Sequence, residues 1–200
     1  MGFSLCGLSW DAEEFRDYAS SINLDWASSV TIHHTSYPDL KMRPNGWKIK
    51  HLENLRHYYQ SVLGWSAGPH LFTDSKKCFG LSSLQERGVH AVSYNKDSIG
   101  IEMLGNYDDE DPKSGRGLDV INLTAKTVAI LLEKMDTRAT TETIKFHRDD
   151  PNTFKTCPGN LLEKKWFVDL VKKQMGENKS TNINLTVEER LTRIEKHLEI

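Results

Sequence analysis

The sequence is poor in cysteine. Of its 200 residues only three are cysteines, namely Cys6, Cys78 and Cys157, and none of them forms a CxxC pair. An odd number without such spacing argues against a disulfide framework and indicates a reducing site of synthesis. A cysteine is therefore available as a metal ligand.

Long apolar runs and a strong net charge are also missing. No segment approaches the roughly 18 apolar residues needed to span a bilayer, and residues 1–15 lack the basic start of a signal peptide. We therefore expect synthesis as a soluble cytoplasmic protein without membrane insertion. The net charge of −2 gives no general attraction for nucleic acid, so no nucleic-acid partner is expected.

Helical and strand patterns alternate along the chain. Apolar periodicity predicts helices over residues 11–22, 48–63, 123–135 and 161–171. Short apolar or β-branched runs predict strands over residues 28–35, 70–73, 78–81, 98–104 and 143–146. Residues 37–47, 85–95 and 106–117 are predicted loops. The pattern indicates an α/β (α+β) fold, with helices flanking a central mixed β-sheet.

The end of the chain has a different composition. We predict one main domain over residues 1–175 and a polar linker over 176–184, GENKSTNIN. Residues 185–200 contain an apolar heptad pattern with charged residues between, typical of a short coiled-coil helix. So short a helix is marginal alone, so it would either dock on the domain or form a homo-oligomer.

One loop combines several residues of metal chemistry. Residues 146–159 read FHRDDPNTFKTCPG, and His147 and Cys157 can each give zinc one ligand. The strand over 28–35 ends in His33 and His34, which face opposite sides because side chains alternate along a strand. A catalytic zinc needs about three protein ligands. The residues alone leave open which of these two histidines is the third.

Four segments together resemble a known family. They are TIHHTS, GPHLF, GVHAVSYNKDSIGIEMLG and FHRDDPNTFKTCPG, and in this order they resemble the zinc N-acetylmuramoyl-L-alanine amidases of the amidase-2 type. That family includes phage endolysins and cell-wall recycling amidases and is related to peptidoglycan recognition proteins. The resemblance implies one Zn²⁺ per chain and hydrolysis of the amide between N-acetylmuramic acid and L-alanine in peptidoglycan.

The resemblance also implies a ligand set. By position, the zinc ligands are matched by His33, His147 and Cys157. His34 is then expected to pack or to support a ligand. Cys6 and Cys78 are expected to be buried or incidental.

Two further residues match catalytic positions of the family. Glu102 matches the carboxylate of the recycling amidases, and Lys155 matches a lysine two positions before the third ligand. Some phage members have a catalytic tyrosine where this chain has Pro69, so the resemblance assigns the general base to Glu102. Lys155 would share stabilisation of the oxyanion with the zinc. The alternative for Glu102 is a paired or exposed strand residue.

Substrate contacts are expected from two loops. His90, Tyr94 and Asn95 lie in the loop that borders the peptide groove in the family, and Trp47 lies in the loop before the second helix. Trp47 and Tyr94 fit core positions as well as binding positions.

Alternatives to the endolysin-type amidase remain at this level. One is a peptidoglycan-binding receptor of the same fold without turnover. Another is a cytoplasmic enzyme that recycles muropeptides, and a third is an interaction module with a purely structural zinc. An endolysin without a signal peptide would reach the wall only after holin-dependent release.

Overall fold

The computed structural model describes residues 2–184, which form a six-stranded sheet and four α-helices. The strands are β1 (Ser9–Trp10), β2 (Ser29–His34), β3 (Leu71–Thr73), β4 (Cys78–Gly80), β5 (Ser98–Met103) and β6 (Ile144–Phe146). The helices are α1 (Ala12–Ser20), α2 (Ile49–Ser61), α3 (Gly115–Lys134) and α4 (Lys164–Asn184). Within this part of the chain, no helix is long and apolar enough to cross a membrane.

The sheet is mixed, as the sequence predicts. Its strand order is β1-β4-β3-β5-β2-β6. β5 pairs in parallel with β3 and β2, and β2 pairs in parallel with β6, whereas β4 is antiparallel to β1 and β3. The four parallel strands therefore end at one edge of the sheet, where the residues of the candidate site follow.

The two faces of the sheet have different neighbours: one packs against α3, and the other bears Glu102. On β5, Ile99, Ile101 and Met103 are fully buried, and α3 packs on β3, β4 and β5. A hydrogen bond of 2.7 Å between the buried hydroxyls of Thr73 and Thr124 joins β3 to α3. Because side chains alternate along a strand, Glu102 belongs to the opposite face.

Most predicted elements are confirmed within a few residues, and the first helix starts as predicted. Asp11 caps α1, because its Oδ1 accepts hydrogen bonds of 2.9 Å from the backbone N–H groups of Glu13 and Glu14. Glu14 in turn accepts a 2.7 Å bond from the N–H of Asp11. This reciprocal capping box fixes where the helix begins.

The predicted loop over residues 106–117 is too long. Helix α3 begins at Gly115, not near residue 123. The glycines at its start indicate a loop, but Gly117 is needed for close packing, since a Cβ there would lie 2.1 Å from the carbonyl oxygen of Asp111. The glycine at this position therefore allows the backbone of α3 to approach the backbone of the loop before it.

Helix α4 continues through the predicted linker over residues 176–184 and ends at Asn184. A polar stretch with one glycine and no proline lacks a residue that forces a helix to end. The predicted heptad helix over residues 185–200 lies outside the described residues. The domain boundary at 175 and homo-oligomer formation stay predictions.

Candidate metal centre and catalytic groove

Two histidines and a cysteine converge at the ends of β2 and β6. His33 is the second-last residue of β2. His147 follows β6 directly, and Cys157 lies in the loop after it. The Nδ1 atoms of the two histidines are 3.1 Å apart, and Cys157 Sγ is 3.8 Å from His33 Nδ1. All three donor atoms lie within 4.8 Å of one another.

The donor set fits zinc in both chemistry and spacing. With Zn–N bonds of about 2.0–2.1 Å and a Zn–S bond of about 2.3 Å, tetrahedral ligand atoms lie roughly 3.3–3.6 Å apart. The observed separations of 3.1 and 3.8 Å bracket that range. Burial lowers the pKa of both His33 and His147, which favours the neutral imidazoles that a metal requires.

Cys157 is held so that its sulfur faces the histidines. Burial raises the pKa of the thiol. The backbone N–H of His34 donates to Sγ at 3.4 Å and counters this effect by favouring the thiolate. The backbone N–H of Arg148 donates to the Cys157 carbonyl at 2.7 Å, which ties the cysteine loop to the turn after β6.

His34 points away from this cluster, as alternation along β2 predicts. Its Nδ1 accepts a 3.1 Å hydrogen bond from the backbone N–H of Tyr107, so Nε2 bears the proton and faces Asp108 Oδ2 at 4.0 Å. Asp108 also accepts a 2.7 Å bond from Thr156. His34 and Asp108 therefore support the segment that leads into Cys157.

Glu102 lies beside the cluster. It pairs with His33 in the parallel register of β5 and β2, and its Oε1 is 3.8 Å from His33 Nδ1. Burial raises the pKa of the Glu102 carboxyl to about 8, against the opposing effect of the Lys155 ammonium. Lys155 itself is exposed and lines the same groove.

The cluster opens into a groove of about 1160 Å³. One wall comes from α2 and the loop before it, with Trp47 and Tyr59 among its residues, and the other comes from the loops around Asn95 and Asn152. Pro69 also lines the groove. The site can therefore admit an extended ligand next to Glu102 and the three donor atoms.

Three of the four predicted substrate residues, Trp47, His90 and Asn95, line this groove, and Tyr94 does not. Trp47 is only 8% exposed, and its ring packs edge-on against Phe72. Asn95 Oδ1 accepts hydrogen bonds of 2.9 Å from the N–H groups of both His90 and Ala91. Trp47 is thus a wall residue with little free surface, and Asn95 uses its oxygen to shape its own loop.

Tyr94 and His90 are engaged by protein groups. The Tyr94 ring lies 4.6 Å from Lys145 Nζ, its hydroxyl donates to the carbonyl of Asp149, and Tyr94 is absent from the groove lining. The His90 ring is hydrogen bonded to His33 on one side and to Ser98 on the other. The structure places His90 behind a metal-ligand candidate.

Asp150, which no sequence pattern singles out, is 2% exposed and lines the groove. Its carboxylate accepts hydrogen bonds of 2.7 Å from the Ser93 hydroxyl, 3.0 Å from the Ser93 N–H and 2.8 Å from the Asn152 N–H. It therefore joins the two loops of one groove wall. An aspartate before a proline is typical of an ordinary turn, which hides this role.

Comparison with known families gives one match, which spans most of the described chain. The family model described as N-acetylmuramoyl-L-alanine amidase, amidase-2, matches residues 25–160. The chain belongs to the amidase-2 family. The matched residues include the three donor residues, Glu102 and Lys155. A comparison with curated protein sequences gives no match.

Solved structures of amidases and recognition proteins have a similar fold. Drosophila PGRP-LB is 22% identical, with 68% of this chain and 76% of that chain covered at a TM-score of 0.53. The amidase LysC from Clostridium intestinale is 20% identical, with coverage of 74% and 88% and a TM-score of 0.52. The catalytic domain of XlyA is 21% identical, with 75% and 86% covered and a TM-score of 0.52. At these identities the likeness shows the amidase-2/PGRP-like fold.

Proposed function

We propose that this amidase-2 protein is a zinc-dependent peptidoglycan hydrolase that cleaves the amide between N-acetylmuramic acid and L-alanine. The observation that supports this most directly is the convergence of His33, His147 and Cys157 beside Glu102 in an open groove. A purely structural zinc site is closed by four protein ligands. Among residues 2–184, this cluster offers three.

The three donor residues would hold the ion. A zinc ion at this position would polarise the scissile carbonyl and lower the pKa of a bound water to about 7. Cys157 would hold the ion as a thiolate, which requires loss of the thiol proton on metal binding. His33 and His147 contribute neutral imidazoles through their Nδ1 atoms.

Glu102 is the proton carrier of the site. Its Oε1 is the carboxylate oxygen beside His33, in position to take a proton from the attacking water and to pass it to the leaving L-alanine nitrogen. The pKa of Glu102 is raised in the metal-free site. A cation held by the adjacent donors would lower this pKa and favour the carboxylate form.

Lys155 contributes positive charge at the mouth of the site. Its ammonium acts electrostatically on Glu102, His33 and His147 alike. That position supports a role in stabilising the negative charge that develops on the carbonyl oxygen during amide hydrolysis. Because the side chain is exposed, it can also adjust to the substrate.

In the decisive experiment, purified peptidoglycan is incubated with zinc-loaded full-length protein, and the soluble products are identified by mass spectrometry. Free stem peptides that begin with L-alanine are expected, and EDTA should abolish their release. Binding to the wall without products would favour the receptor alternative, which the similarity to recognition proteins keeps open. New reducing sugars or cut cross-links would show hydrolysis of a different bond.

The proposed activity fits two biological roles, endolysin and recycling enzyme. We infer an endolysin-type enzyme because the groove is open, which suits a polymeric wall. Rates on intact sacculi and on soluble muropeptides with a 1,6-anhydro end separate the two roles. Faster turnover of the soluble substrate would favour the recycling enzyme.

A further inference from the structure

The imidazole of His90 lies between a strand carbonyl and a metal-ligand candidate. His90 Nε2 is 2.9 Å from the carbonyl oxygen of Ser98, and His90 Nδ1 is 3.1 Å from His33 Nε2. The His33 and His90 rings meet nearly at right angles, at 87° with centroids 5.2 Å apart. These contacts form one continuous chain from β5 to the cluster.

The chain has one consistent set of protons. A carbonyl oxygen only accepts, so His90 Nε2 must bear the proton that lies between it and Ser98. With its proton on Nε2, a neutral His90 ring has its free lone pair on Nδ1, the atom that faces His33 Nε2. His33 Nε2 must then be the donor to His90, which leaves His33 Nδ1 unprotonated.

We propose that His90 is a positioning residue that fixes the tautomer and orientation of His33, so that its Nδ1 faces His147 and Cys157 as a ready metal ligand. The inference rests on the proposed function in taking the cation to be Zn²⁺. It replaces the substrate contact predicted for His90 with a role behind the site. Second-layer partners of metal-bound histidines typically change metal affinity by about 10–100-fold.

The surroundings of His90 are built to hold this ring. Gly100 lies beneath it, and a Cβ at that position would come within 2.4 Å of His90 Cγ. Asn95 Oδ1 accepts the His90 N–H at 2.9 Å and fixes the backbone before the ring. His70 holds the strand from below, because its Nδ1 accepts the N–H of Gly100 at 2.9 Å.

The first test measures the tautomers directly in the wild-type protein. Nitrogen-15 NMR of the imidazoles, with and without Zn²⁺, should show His90 and His33 both protonated on Nε2 in both states. A proton on His90 Nδ1, or on His33 Nδ1 in the metal-free protein, would overturn the proposal. This measurement needs no variant and no enzymatic activity.

The second test separates the hydrogen bond from packing. His90→Leu fills the space but cannot accept from His33, whereas His90→Asn is smaller but keeps an acceptor near the Nδ1 position. We expect His90→Leu to weaken Zn²⁺ binding by about 10–100-fold and His90→Asn by less than about tenfold. Competition with a chromophoric chelator gives the affinities, and the Co²⁺ absorption spectrum reports the ligand geometry.

Equal losses, or a larger loss in His90→Asn, would show a packing role and overturn the inference. Circular dichroism at the assay temperature confirms that each variant is folded. A wild-type protein that binds no Zn²⁺ would contradict the proposed function instead. The NMR result would still decide whether His90 sets the tautomer of His33.

Discussion

Glu102 and His33 lie opposite each other on neighbouring parallel strands, with Oε1 of the glutamate 3.8 Å from Nδ1 of the histidine. The register between β5 and β2 creates this pair, so the proposed proton carrier and a ligand candidate are fixed by one stretch of backbone hydrogen bonds. The geometry therefore depends on the rigid sheet, whereas Lys155 reaches the site from a loop.

Replacing Glu102 separates proton transfer from metal binding. Glu102→Gln keeps the shape of the side chain but cannot take up a proton, so we expect kcat to fall by about 10²–10⁴-fold. The zinc content should stay the same, because Glu102 is outside the donor set. Turnover of a soluble muropeptide and metal analysis of the same sample measure both effects.

A matched control uses an exposed glutamate. Glu142 lies in the turn before β6, away from the groove, and Glu142→Gln should leave kcat and zinc content unchanged. Full activity of Glu102→Gln would refute the assignment of the proton carrier.

The cysteines offer a second matched pair. Cys157→Ala removes the sulfur donor, so we expect loss of the bound zinc and of amide cleavage while wall binding remains. Cys78 is also buried and free, at 1% exposure on β4, and Cys78→Ala should keep both zinc and activity. Metal content measured after gel filtration distinguishes the two variants, and equal zinc in both would exclude Cys157 as a ligand.

Local sequence patterns predict His147, Cys157 and one of the pair His33 and His34 as donor residues. The β-branched run before His33 predicts a strand, and alternation along it separates His33 from His34. The cysteine loop is recognisable because one short segment holds the histidine, the lysine and the cysteine. The family resemblance then selected the three donors, and their proximity in the structure agrees with it.

Local sequence patterns do not predict roles that depend on groups distant in the sequence. The function of His90 depends on the Ser98 carbonyl and on the space above Gly100, both of which the fold brings from another element. Asp150 looks like a turn residue until its contacts with Ser93 are known. The start of α3 was missed for a related reason, because Gly117 serves tertiary packing.

Asp150 provides a test of the groove wall. Asp150→Ala removes the hydrogen bonds to Ser93 and Asn152, and each buried donor left without a partner costs about 1–3 kcal/mol. We expect lower stability in urea unfolding and a higher KM for muropeptides, with a smaller effect on kcat. Asp150→Asn keeps one acceptor oxygen and should be intermediate in both, whereas an unchanged KM in Asp150→Ala would contradict the wall role.

We predict that His70 makes the folded protein sensitive to acid. It is fully buried, its Nε2 donates to the carbonyl of Glu86 at 3.0 Å, and the Trp26 ring stacks on it at 5.5 Å. Burial lowers the pKa of His70 from 6.5 to about 4. The unfolded chain therefore takes up a proton on this residue at higher pH than the folded protein does.

Because the His70 pKa is lower in the folded protein than in the unfolded chain, acidification destabilises the fold. The contribution of neutral His70 to folding is complete above pH 6.5 and is lost as the pH falls toward 4, with a total of up to about 3 kcal/mol. His70→Asn, which keeps an acceptor for the Gly100 N–H, should be less stable at pH 7.5 but should lose less stability on acidification. The difference in unfolding free energy between the two proteins should therefore shrink from pH 7.5 to 4.5 in urea titrations. A constant difference across that range would show that His70 does not set this part of the acid response.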